Sequence, residues 1–129
     1  VDIFGNTIRT LENSLDYASA KNQTIANNIS NVDTPNYKAK DVIFKDALND
    51  AANALVVKKT NEKHMSLNQS NSSYQTITQN NTMFNHNGNN VDIDKEMAEL
   101  AKNQIYYNSL VERINGKFGS LQKVIRGGN

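Results

Sequence analysis

The chain has 129 residues, a formal net charge of +1, 37% apolar residues and no cysteine. That length fits one domain, and a mean hydropathy of −0.66 leaves part of the chain too polar to bury much. The near-neutral charge argues against nucleic acid or an anionic membrane as the main partner, the missing cysteine excludes disulfides, thiolate chemistry and Cys-based zinc sites, and no apolar run is long enough to span a membrane.

From the N-terminus the apolar positions run Phe4, Ile8, Leu11, Leu15, Ala18, Ile25, Ile29 and Val32, with Asn22 in the gap. Steps of four and three alternate, which is the 3.5-residue repeat of a coiled-coil seam. Asn22 is either a polar residue at an unimportant level or a register device that needs a polar partner. The seam stops at Pro35, which lacks an amide hydrogen and pushes Thr34 out of helical geometry, so the helix is expected to end just before it. Asn31, Asp33 and Asn36 suit turns.

Phe44, Leu48, Ala51 and Leu55 again step four, three, four. With three further alanines they predict a short helix over Asp46–Leu55, while Val56-Val57 fits either an extension or a strand. Thr60–Asn90 is rich in Asn, Ser, Gln and Thr and holds no period, so it is expected to be flexible or partly disordered. Within it Tyr74–Thr78 suits a short strand and Asn87-Gly88 a turn.

A second long helix is expected from Asp92, with Asp92 capping and Asp94 and Glu96 favoured by the helix dipole. Its seam reads Ile93, Met97, Leu100, Tyr107, Val111, Ile114, Phe118, Leu121 and Ile125, with Gln104 in the gap, and Gly127-Gly128 ends it. Gly116 and Gly119 weaken its last third. Pairing the seams antiparallel matches Phe4 with Ile125, Leu15 with Ile114 and Ile25 with Gln104. Asn22 then faces Tyr107, and a small slip brings the Asn22 and Gln104 amides together. Tyr106 and Leu110 beside the second seam, and Tyr17 beside the first, are either scattered exposed residues or a second contact face.

The chain thus reads as mainly α. Long N- and C-terminal helices pair as a coiled-coil-like hairpin, joined by a short middle helix and a polar central segment with at most minor β structure. The expected divisions are 1–34, 35–90 and 91–129. Residues for chemistry are absent from the pattern. His64 and His86 have no second ligand at helical spacing, the acidic run Asp92, Asp94, Glu96 has the wrong order for a calcium loop, and no nucleophile elbow or phosphate loop occurs. No catalytic, cofactor or metal residues are therefore named, and an enzyme is not expected.

Two blocks carry a resemblance. Ala26-Asn27-Asn28-Ile29, Asn31, Thr34-Pro35 and Tyr37-Lys38 resemble the N-terminal signature of the bacterial flagellar rod and hook proteins, with Asn36 where Gly is usual. Asn90-Val91-Asp92-Ile93-Asp94-Lys95-Glu96-Met97, then Asn103-Gln104, Tyr107 and Lys117-Phe118, are similar to the C-terminal block of the proximal rod branch. The resemblance implies a self-assembling structural subunit of the basal-body rod. It implies as partners the adjoining rod subunits, the rod–ring junction protein and the type III export gate. It also implies a place in the cell envelope, reached without a cleaved signal peptide, in keeping with the lack of a basic-then-apolar leader. The other reading is a free helical-hairpin adaptor or secreted effector-like binding module.

Overall fold

The computed structural model of the chain describes residues 3–45, 72–80 and 85–127. The helix expected at Asp46–Leu55, the Val56-Val57 extension and His64 lie outside them. Two long helices dominate, α1 (Ile3–Ser30) and α2 (Ile93–Arg126), with two short strands, β1 (Lys40–Phe44) and β2 (Tyr74–Thr78). This is the mainly α hairpin the periodicity predicts.

Many polar residues sit on the outside of α1 without breaking it. Thr10, Ser14 and Ser30 turn their hydroxyls back onto the carbonyls of Asn6, Thr10 and Ala26, four residues earlier, at 2.8–2.9 Å. The helix ends at Ser30, several residues before Pro35. There the Asn31 side-chain amide takes the Asn27 carbonyl at 2.7 Å, and the Asn31 hydroxyl-accepting oxygen receives Thr34 Oγ1 at 3.1 Å. These local bonds compete with the next helical turn.

At the start of α2, Asp92 is the N-cap: its carboxylate accepts from the amides of Asp94 (3.0 Å) and Lys95 (3.3 Å). The Gly127 amide closes the far end on the Lys123 carbonyl at 2.8 Å. Asp94 and Glu96 in the first turn and Lys123 and Arg126 in the last suit the helix dipole.

The helices pair antiparallel around Leu11, Ala18 and Leu110, with Leu15, Tyr107 and Ile114 packed on that cluster. Ile25 is also buried on α1, whereas Phe4, Met97 and Phe118 are exposed. The α1 seam lies inward much as its spacing predicts. In α2 one column differs. Glu96, Asn103 and Leu110 are buried, and Glu99, Leu100, Tyr107, Val111, Ile114, Lys117 and Leu121 are half-buried. Leu100, Tyr107, Ile114 and Leu121 were expected there, and Val111 stays half-buried beside the buried Leu110; Met97, Gln104 and Phe118 are exposed and yield to the residue before them. Trading one column for the neighbouring one turns the seam by about 50°, half the ~100° between successive residues. Leu110 is thereby a core residue rather than a flanking one.

The register is displaced as well. Asn103 Nδ2 donates to Asn22 Oδ1 at 2.8 Å and to the Ala18 carbonyl at 2.7 Å. Asn22 therefore faces Asn103, four residues or about one turn from Tyr107. Gln104 lies at nearly the same level but points outward, to Asn108 Oδ1 at 3.3 Å. The polar device sits in the seam, but its α2 member is Asn103.

β1 and β2 pair antiparallel, Lys40 opposite Thr78 through Phe44 opposite Tyr74. Phe44 is thus a strand residue, not the opening step of a helical seam. Its ring stacks on Tyr17 of α1 with centroids 4.2 Å apart, and Val42 is 1% exposed. Lys21 joins three elements, reaching Asp41 of β1 (3.8 Å) and Glu99 of α2 (3.4 Å). Burial works against its charge, but Tyr17, Asp41 and Glu99 together outweigh burial and hold the ammonium above its ordinary value.

Candidate functional site

The hairpin is tied at its closed end by a set of amide side chains. Asn28, in the last turns of α1, is 1% exposed. Its Nδ2 donates to the Lys40 carbonyl (2.8 Å) and to Glu96 Oε2 (3.1 Å). Its Oδ1 accepts from the Lys40 amide (2.9 Å) and the Tyr37 hydroxyl (3.2 Å). One side chain thereby pairs both backbone groups of the residue that opens β1, and also ties that strand to the first turn of α2. All four of its ordinary hydrogen-bonding positions are used, which is what lets an amide sit without water.

The loop before α2 completes the clamp. Asn89 Nδ2 donates to the carbonyls of Asn31 (2.7 Å) and Thr34 (2.8 Å), a second partner for each beside the amides of Thr34 and Tyr37, and so holds the turn that follows α1. Its Oδ1 accepts from the Val91 amide at 2.7 Å. Asn90 Oδ1 accepts from the Ala39 amide and its Nδ2 donates to the Gln79 carbonyl, both at 2.6 Å. Asn89 and Asn90 are buried, although they end the stretch expected to be loose. Asn36 adopts φ 59° and Gly88 φ 81°. The Asn36 amide bonds the Asn87 carbonyl at 3.0 Å, and a Cβ on Gly88 would run into Asn36 Oδ1. Asn tolerates the left-handed region, which accounts for Asn36 holding the place where Gly is usual. The Lys38 ammonium donates to the Gly88 carbonyl at 2.6 Å.

Glu96, at the centre of the clamp, is the one buried carboxylate among the described residues, 8% exposed. Burial raises its pKa above the ordinary value, and the Asn28 hydrogen bond pulls the other way. Burial, then the Glu96 charge, raises Tyr37 as well. The arrangement positions backbone; it offers no nucleophile or acid–base pair aimed at open space. Among the described residues no group of three or more His, Cys, Asp or Glu is placed to hold a metal, and no helix is long and apolar enough to cross a membrane.

Of the signature residues, Asn28, Asn31, Thr34, Tyr37, Asp92 and Glu96 meet in the clamp or its caps. Ile29 is half-buried on α1, while Ala26, Asn27, Pro35 and Met97 face solvent. Sequence reasoning missed Asn89, and it quoted Asn103 in the second block without placing it in the seam. Asn89 stands in a stretch where Asn is common, and only its place just before a buried Val91 and a capping Asp92 marks it.

Residues 8–38, from the α1 seam to the turn and Lys38, match the family model described as flagella basal body rod protein. The flagellar basal body rod protein FlgB of Bacillus subtilis is 48% identical over 128 residues, covering 99% of each chain. The chain belongs to the FlgB rod proteins. FlgB of Borreliella burgdorferi is 34% identical over 87% of this chain and 90% of its own. FlgB of Escherichia coli K12 is 24% identical over 100% of this chain and 99% of its own. The likeness runs through both helices and the clamp between them. A structural subunit of the proximal rod of the flagellar basal body follows from this membership, and a catalytic role does not; the free adaptor is not favoured.

Proposed function

We propose that this rod protein packs against adjoining rod subunits, meets the rod–ring junction protein, and reaches the cell envelope through the type III export gate without a cleaved signal peptide. In this reading the clamp is the assembly device. Asn28, Asn31, Thr34, Tyr37, Asp92 and Glu96 fix the angle at which α1, the turn and α2 meet. Ala26, Asn27, Ile29, Pro35 and Met97 are offered to neighbours. The seam residues Phe4, Ile8, Leu11, Leu15, Asn22, Ile25, Leu100, Gln104, Tyr107, Val111, Ile114, Phe118 and Leu121 hold the pair or its flanks.

The observation that carries the reading is the fully satisfied Asn28, buried between three elements. A hairpin that needed only to be stable would be served by an apolar residue there, since burying amides gains little net free energy. A fixed geometry is what a subunit repeated along a shaft requires. The test is complementation of a strain lacking this chain. The unaltered protein should restore rods and motility and cross-link to the junction protein and a gate component, whereas Asn28→Ala should be secreted poorly or fail to build rods. Normal rods from Asn28→Ala would refute the role given to the clamp, and absence of both cross-links would remove the named partners.

A further inference from the structure

Two Asn-Gly pairs occur in the chain, Asn87-Gly88 and Asn115-Gly116. Both asparagines face solvent. In such a pair the glycine nitrogen can attack the asparagine side-chain carbonyl, because no Cβ on the second residue blocks the approach. Asn115 and Gly116 lie inside α2, whose backbone ladder holds the Gly116 amide and fixes the torsion between the two groups. Asn87 and Gly88 lie in the turn before α2, and there hydrogen bonds fall on the reacting groups themselves. The Asn36 amide donates to the Asn87 main-chain carbonyl at 3.0 Å. That oxygen takes up charge when the Gly88 nitrogen loses its proton, so the bond favours the nucleophilic form. The Asn89 amide donates to Asn87 Oδ1 at 3.1 Å. It polarises Cγ and meets the negative charge that develops on Oδ1 during attack, as an oxyanion donor does. Against these, the Gly88 N–H must leave the Asn85 carbonyl, which it reaches at 3.1 Å. A bulkier residue cannot protect the site, since φ at Gly88 is 81° and a Cβ there would run into Asn36 Oδ1.

We infer that Asn87-Gly88 is a self-modifying site whose conversion to isoaspartate releases the clamp. Hydroxide takes the Gly88 amide proton. The nitrogen then bonds Asn87 Cγ, and the side-chain nitrogen leaves as ammonia, protonated by water, which gives a succinimide ring. Water opens the ring. Addition at Cγ breaks the bond from Cγ to the Gly88 nitrogen and leaves aspartate with the ordinary backbone. Addition at the Asn87 main-chain carbonyl breaks its bond to that nitrogen and leaves isoaspartate, whose chain runs on through Cγ. By either route water is consumed and ammonia released in equal amounts, with nothing oxidised or reduced. Isoaspartate lengthens the backbone by one carbon–carbon bond, about 1.5 Å. The insertion falls between the Asn36 contact and Asn89, whose side chain must stay on Asn31, Thr34 and Val91 at 2.7–2.8 Å. Asn90 follows directly, held on Ala39 and Gln79. Hydrogen bonds this short do not stretch by the length of the insertion, so the loop gives up its hold on the turn after α1.

The test is to incubate the purified full chain at mildly alkaline pH, folded or in urea, and to follow both pairs by peptide mass spectrometry. In the folded chain Asn87 should convert at least about tenfold faster than Asn115, whereas in urea the two rates should approach each other. The isoaspartate fraction, separated by ion exchange, should unfold at lower urea than fresh protein. Asn87→Asp carries the new charge without the longer backbone, and freshly purified it should keep the unaltered midpoint. Asn87→Gln would have to form a larger, slower ring and should age without loss of stability. Asn87 that stays intact in the folded chain while it converts in urea would overturn the inference, as would Asn115 converting equally fast in the fold. An isoaspartate fraction with an unchanged urea midpoint would remove the link to the clamp. Fresh Asn87→Asp that unfolds as early as that fraction would assign the loss to charge and refute release by the longer backbone.

Discussion

Replacing Asn28 tests the clamp most directly. Asn28→Ala removes two donors and two acceptors from a site that is 1% exposed. The Lys40 amide and carbonyl, the Glu96 carboxylate and the Tyr37 hydroxyl all lose a partner at 2.8–3.2 Å. A neutral hydrogen bond contributes about 0.5–1.5 kcal/mol and one to a charged group about 1.5–3, so three of the first and one of the second sum to roughly 3–7.5 kcal/mol. The half-buried Tyr37 hydroxyl rehydrates, and Lys40 lies at an exposed position, so a loss of about 3–4 kcal/mol is expected. Asn28→Asp separates geometry from charge. It keeps the acceptor for the Lys40 amide and Tyr37, but turns an oxygen towards the Lys40 carbonyl and Glu96. At neutral pH it should therefore be at least as damaging as Ala, and it should recover on acidification, when a carboxyl proton can be shared. Urea unfolding followed by far-ultraviolet circular dichroism measures both. A cost below about 1 kcal/mol for Asn28→Ala would mean that water replaces the amide freely and that the clamp holds nothing.

Glu96 has a pKa raised above 4.5 in the fold. The folded chain thus binds its proton more tightly than the unfolded chain. Its contribution favours folding below 4.5 and is lost as pH rises through the raised value. Glu96→Gln should remove that slope, and a difference in urea midpoint between the two proteins that stays constant with pH would contradict it. Glu99 is shifted the other way, chiefly by its hydrogen bond from Lys102, so Lys102→Met should weaken the chain above 4.5, with the difference fading as pH falls through the lowered value. Asn103→Leu alone strands Asn22 and should cost about 1–2 kcal/mol, whereas Asn22→Leu with Asn103→Leu should restore stability while loosening register, read by double electron–electron resonance across the pair. Gln104→Leu should change stability by less than about 0.5 kcal/mol, since that side chain faces out. A Cβ at Gly116 meets nothing within 4 Å, so Gly116→Ala should stabilise α2 by about 1 kcal/mol, and no rise in melting temperature would contradict the open geometry.

The helices were legible because an alternating four-three spacing admits few other structures, and their caps because Asp92 and Gly127 have one obvious use each. Tyr74–Thr78 was legible as a strand from its composition, but its partner was not. Lys40–Phe44 carries Val42, Ile43 and Phe44 beside charged residues, and Phe44 was counted as the first step of the seam expected for Asp46–Leu55. Only the stacking of Phe44 on Tyr17 and the pairing with β2 decide for a strand. That is tertiary context overriding a local pattern.

The turn of the α2 seam has a similar cause. A hydrophobic count prefers Met97, Val111 and Phe118 over Glu96, Leu110 and Lys117, because it scores each position as if burial were its only use. In the fold, Glu96 and Asn103 have specific partners on α1, Asn28 and Asn22 with Ala18. Two anchored polar residues seven apart define the same column that Leu110 and Lys117 continue. The polar pairs thus set both the rotation of α2 and its register against α1, and the apolar residues pack on whatever face those pairs leave inward. Most of the column that spacing alone would bury is turned out, Val111 staying half-buried, which is why Met97 and Phe118 are at the surface. The spacing holds two apolar columns, and the pair covers one of them while leaving Met97 and Phe118 of the other exposed; a helix keeps such a second apolar column when it has a second neighbour.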